Sequence, residues 1–72
     1  MFYPSLSVVE RLKKEYPEGT RVKLVKMNDK FAPPPGTEGT VVGVDDIGSL
    51  MMKWDNGCSL NVAYGEDVVE II

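Results

Sequence analysis

Seventy-two residues suffice for one small domain, expected to occupy all of 1–72, and a chain of this size buries only about 60% of its unfolded surface. Cys58 is the sole cysteine and histidine is absent, which excludes an internal disulfide, a histidine base and the usual zinc sites. The formal charge of −3 is unevenly placed: residues 1–30 hold seven basic against four acidic groups, and residues 31–72 one against seven. The start of the chain has neither the basic region nor the apolar core of a secretion signal, and no stretch approaches the length of a membrane span, so a cytoplasmic location and no membrane partner are expected.

In chain order, Ser7-Val8-Val9-Glu10 fits a capping box, in which a serine hydroxyl and a glutamate carboxylate satisfy each other's backbone N–H groups. Val9, Leu12 and Tyr16 follow at offsets of three and four and form one apolar stripe, so a helix is predicted over about residues 7–16. Glu10 and Lys14 stand at favourable four-residue spacing. Pro17 and Gly19 end the helix, with residues 1–19 read as helix plus linker and 20–72 as a β domain. Thr20 to Met27 alternates, placing Val22 and Leu24 inward and Arg21 and Lys23 outward. The segment NDKFAPPPGTEG holds three consecutive prolines and reads as a loop, because proline cannot occupy a central strand. GTVVGVD, SLMMKW, CSLNVA and VVEII then supply four more short strands. The fold class expected is therefore mainly β: a small five-stranded barrel with one N-terminal α-helix.

Two turns set the strand register. A three-residue loop Asp55-Asn56-Gly57 pairs Trp54 with Cys58, Met52 with Leu60 and Leu50 with Val62, all apolar, whereas a two-residue Asn-Gly loop mixes apolar with polar on each face. The first choice implies a type I turn with Gly57 left-handed at a bulge. In VDDIGSL, pairing Val44 with Leu50 and Val42 with Met52 leaves Asp45 to Ser49 as a five-residue loop, with Gly48 at positive φ and Ile47 at the tip. Val41 is out of phase with that ladder, and a bulge near Gly43 would restore it.

GTEGTVVGVDDIGSLMMKWDNGCSL, with EYPEGTRVKLVKM, the proline loop and the terminal GED-x-x-x-I, resembles a small bacterial and phage family designated domain of unknown function 4314. The resemblance spans roughly residues 10–72 and rests on features such as Gly39-Thr40-Val41, Asp45-Asp46-Ile47-Gly48 and Lys53-Trp54-Asp55-Asn56-Gly57. It implies an SH3-like barrel and an origin in phages, prophages or other mobile elements, and no particular activity. Met51-Met52 replace residues that are more β-branched or polar in similar sequences, and read as adaptable packing or contact surface. The strand ending in Trp-Asp-Asn-Gly is also similar to part of other SH3-like binding modules, a likeness of fold alone.

The acids of GVDDIGSLMMKWDNGCSL lack the alternating ligand spacing of a calcium loop, and aspartate favours turns by bonding its own backbone, so no metal and no cofactor are expected. With no histidine, an inward-facing Cys58 and no phosphate-cradling glycine loop, catalysis is not expected either. Binding is the class that remains. Its candidate surface is Phe31, Pro33 and Pro34 of the proline loop with Ile47, Tyr64 and Tyr3, in the manner of aromatic and proline grooves that take extended peptides. The competing reading makes Phe31 and Tyr64 caps on the ends of a barrel. The leading expectation is a protein–protein interaction module whose partner is a host or element-encoded protein. An alternative is nucleic-acid binding through the basic N-terminal third, with Arg11, Lys14, Arg21, Lys23 and Lys26 as contacts, which the acidic remainder of the chain opposes. A further alternative, resting on the mobile-element setting, is a phage counter-defence protein that sequesters a nucleotide signal or blocks a host effector. The apolar last strand VVEII also offers an edge through which a homodimer could pair.

Overall fold

The computed structural model describes residues 6–63 and 65–72. Helix α1 (Leu6–Glu15) is followed by five strands: β1 (Arg21–Lys26), β2 (Glu38–Val44), β3 (Ser49–Trp54), β4 (Val62–Ala63) and β5 (Val68–Ile71). The expected mainly β fold with one N-terminal helix forms. All five strands lie in one sheet, ordered β4-β3-β2-β1-β5, and every pairing is antiparallel.

The sheet is not closed into a barrel: its two edges, β4 and β5, are not hydrogen-bonded to each other. One reason lies in the segment before β4. Cys58–Ala63 was expected to run as a full strand, but only its last two residues do. The Trp54 N–H donates to the Cys58 carbonyl at 3.1 Å and Leu50 pairs with Val62, as the turn chemistry requires. Between these points Met52 does not pair with Leu60. The Met52 N–H donates to the side-chain Oδ1 of Asn61 at 3.3 Å, and the Leu60 carbonyl accepts the Trp54 indole N–H at 2.8 Å. Side-chain bonds thus replace the ladder, a competition asparagine is suited to.

Both predicted turns form. Gly57 (φ 90°) and Gly48 (φ 83°) take the left-handed conformation glycine allows. The Asp45 carboxylate accepts from the N–H groups of Ile47 (3.2 Å) and Ser49 (2.8 Å), so this acid builds its own loop. The ladder of β2 with β3 carries the bulge: Val44 pairs with Leu50 and Gly43 with Met51, but Met52 faces Val41, not Val42. Val41 is thereby fully buried, and Val42, 45% exposed, turns outward.

The core joins α1 to the inner face of the sheet. Val9 and Leu12 pack with Val22 and Leu24 of β1, Val41 and Val44 of β2, Leu50, Met52 and Trp54 of β3 and Val62 of β4. Tyr16 lies against this cluster, completing the predicted stripe. The described part of the helix starts at Leu6, and Ser7, expected at the cap, is itself helical. Its ion pair at four-residue spacing is Arg11–Glu15 (3.9 Å), not Glu10–Lys14, among the described residues. The helix stops at Glu15 because Pro17 disfavours helical geometry at Tyr16.

Candidate protein-interaction surface

The proline loop is held at many points. Asp29 makes a local turn, accepting at Oδ1 from the Phe31 N–H (2.8 Å) and at its carbonyl from the Ala32 N–H (3.0 Å). Farther along, the Thr37 N–H and hydroxyl both donate to the Pro34 carbonyl, at 3.1 and 2.7 Å. The Gly36 N–H donates to the Leu24 carbonyl at 2.7 Å and the Leu24 N–H to the Thr37 carbonyl at 2.8 Å, which ties the loop to β1. The Cys58 thiol donates to the Phe31 carbonyl at 3.8 Å and ties the same loop to the turn after β3. Pro33 is buried, while Pro34 is exposed. On this braced backbone the Phe31 side chain is 72% exposed, with Lys30 Nζ 5.1 Å from its ring centroid. That distance lies within cation–π range.

Ile47, 53% exposed, is at the tip of the β2–β3 turn as expected. It is not beside Phe31. Ile47 precedes β3 and Cys58 follows it, and the six residues of β3 separate the two loops by about 20 Å of strand. Phe31 and Pro34 therefore form one surface. Ile47 belongs to the other end of β3; Val42 and Met51, 45% and 36% exposed, are the outward apolar side chains of β2 and β3. Tyr64 and Tyr3 lie outside the described residues.

The basic candidates are dispersed and mostly matched. Arg21 on β1 makes a two-pronged bond to Asp55, Nη1–Oδ1 2.8 Å and Nη2–Oδ2 2.6 Å. It also donates to Thr40 Oγ1 at 2.9 Å and approaches Glu38 Oε1 at 3.5 Å. Hydrogen bonding to Arg21 holds the Asp55 carboxyl below the ordinary aspartate value; partial desolvation opposes this and the guanidinium charge adds to it. Hydrogen bonding to Asp55 likewise raises the Arg21 pKa. Lys23 pairs with Glu70 at 4.0 Å, and Lys26 shares a polar hollow with Asn28, Glu66 and Asp67. Arg11 and Lys14 are exposed on the helix, with Arg11 paired to Glu15. The charge segregation of the sequence is thus largely undone in space, because β1 lies between the acids of β2 and β5.

Two further features stand out, the first not legible in the sequence and the second the apolar last strand already expected as an edge. One is an apolar groove of about 240 Å³, lined chiefly by Leu12, Tyr16, Leu50, Val62 and Val69 between α1 and the two sheet edges. The other is the exposed rim of β5, where Val68, Ile71 and Ile72 are 47%, 57% and 56% exposed. Among the described residues, no three histidine, cysteine, aspartate or glutamate side chains gather in a way that could hold a metal ion. No helix there is long and apolar enough to cross a membrane.

No curated protein and no solved structure matches the chain. The sequence profile described as Domain of unknown function (DUF4314) matches residues 5–72, nearly its whole length. The protein belongs to that family of small domains.

Proposed function

We propose that this chain is a non-catalytic protein-interaction module, encoded by a phage or other mobile element and acting in the bacterial cytoplasm on a host or element-encoded protein. The observation that carries this reading is Phe31: a large aromatic side chain, 72% exposed, on a loop fixed by backbone, side-chain and thiol hydrogen bonds. Binding energy at protein interfaces concentrates in such anchors, and a preformed loop loses little entropy on docking. Pro34 beside it suits an extended or proline-containing ligand. The mobile-element origin rests on the family resemblance alone.

The test is capture from bacterial cytosol with the wild type, Phe31→Ala and Ile47→Asp, read by quantitative mass spectrometry. Truncating an anchor aromatic costs about 2 kcal/mol or more, roughly thirtyfold in affinity. Partners retained by Ile47→Asp and lost by Phe31→Ala are expected. Equal recovery of every partner by all three proteins sinks the assignment.

A further inference from the structure

Among the described residues the outer edge of β5 is unpaired, and it has a definite hydrogen-bonding phase. Val22, Lys23 and Leu24 of β1 face Ile71, Glu70 and Val69 in that order. The Ile72 N–H donates to the Arg21 carbonyl at 3.1 Å. Antiparallel pairs alternate, so Glu70 and Ile72 direct their backbone groups at β1, and Val69 and Ile71 direct theirs away from the sheet. Side chains alternate as well. Val69 faces Leu24 and lies on the core side, where it lines the groove, while Glu70 lies on the outer face with Lys23.

We infer that the gap between β4 and β5 is a docking site for an extended segment of a partner protein, in which apolar residues flank a lysine or arginine. Such a segment adds to β5 as a sixth strand and takes up the N–H and C=O groups of Val69 and Ile71. Its apolar side chains opposite those residues point to the core side. One of them enters the groove floored by Leu12, Leu50 and Val62, whose 240 Å³ is ample for an aliphatic side chain. The intervening side chain lies on the outer face opposite Glu70. Glu70, which meets Lys23 of β1 on its other side at 4.0 Å, selects a cation there.

The same phase weighs against a second copy of this chain as occupant. Two β5 strands joined through Val69 and Ile71 would stack Glu70 directly on its symmetry mate, with Cα atoms about 4.5 Å apart. Like charges placed so are destabilising. The seam is distinct from the Phe31 loop, so the result at one surface does not decide the other.

The experiment uses the full chain and two blocked peptides, Ser-Val-Lys-Val-Lys-Val-Ser and Ser-Val-Glu-Val-Glu-Val-Ser, followed by backbone amide NMR and hydrogen exchange. The lysine peptide is expected to bind, to shift and protect the Val69 and Ile71 amides, and to exceed the glutamate peptide by about tenfold in affinity. Glu70→Lys should reverse that order. Ile71→Pro removes an outward N–H without breaking a bond to β1, and should abolish binding with the circular dichroism unchanged. Equal affinity for the two peptides overturns the inference, as do shifts confined to residues away from β5. Sedimentation showing a dimer with both amides already protected also overturns it, by assigning the edge to a second copy.

Discussion

At the scale of single residues, the tightest constraint is on glycines that lack special φ angles. Gly39 is buried in β2 beneath the Trp54 ring. A Cβ placed on it would lie 2.6 Å from Trp54 Cε3 and 3.1 Å from Met52 Cε. The ring is 1% exposed, its indole N–H is bonded to Leu60, and it has nowhere to go. Gly43 looks similar on paper, since a Cβ there would meet Met51 Cε at 2.6 Å. That neighbour, however, is the end of a flexible, partly exposed side chain. Gly39→Ala is therefore expected to destabilise by about 1–3 kcal/mol, and Gly43→Ala to stay within about 0.5 kcal/mol. Urea denaturation of the two variants distinguishes them.

Among the elements, the β2–β3 hairpin was the most legible in sequence. Glycine at the turn and the apolar phase of Leu50 and Met52 gave the Val44–Leu50 pair, and the misfit of Val41 located the bulge, although Met52 was expected opposite Val42 and pairs with Val41. β4 was the least legible. Cys58, Leu60 and Val62 alternate as a strand should, and nothing in that alternation reveals that the Asn61 amide takes the ladder position opposite Met52. Asn61→Ala leaves the Met52 N–H without its acceptor. A loss of about 1 kcal/mol is expected, lowering the melting temperature by about 4–8 °C in a domain of this size. Asn61→Asp keeps the acceptor oxygen and should recover most of it in thermal scans at neutral pH. The candidate surface was legible in the same partial way. Exposure of Phe31 and Ile47 followed from loop position, but their separation depends on the length of β3 between them. The burial of Pro33 depends on how the loop folds back onto β1.

For the whole molecule, the decisive feature is how the basic first part of the chain is distributed. β1 carries Arg21 and Lys23 outward between Glu38 and Asp55 on one side and Glu70 on the other. No pattern within the sequence foretold this, because partner strands are chosen by topology. The pairing has a pH signature. The folded-state pKa of Asp55 is lowered, so its contribution to stability is whole above the ordinary aspartate value and is lost as pH falls through the lowered one. Asp55→Asn should therefore lie below the wild type in urea midpoint by a constant amount near neutrality. That difference should shrink at acid pH below the ordinary aspartate range. A difference that persists undiminished into strong acid would assign the effect to packing instead of charge.

The open sheet also bears on the order in which the domain assembles. The β2–β3 hairpin closes over the short Asp45–Ser49 turn, while β1 and β5 join the first strand of the sheet to the last in sequence. Chain-closure entropy rises with separation, so that pairing gains its reward only after the intervening strands have condensed. Of the five strands a ribosome delivers β5 last, and until it docks the outer edge of β1 stands open, with the backbone groups of Arg21 and Lys23 unpaired. The pairing of β5 with β1 is thus also the last part of the sheet to be completed.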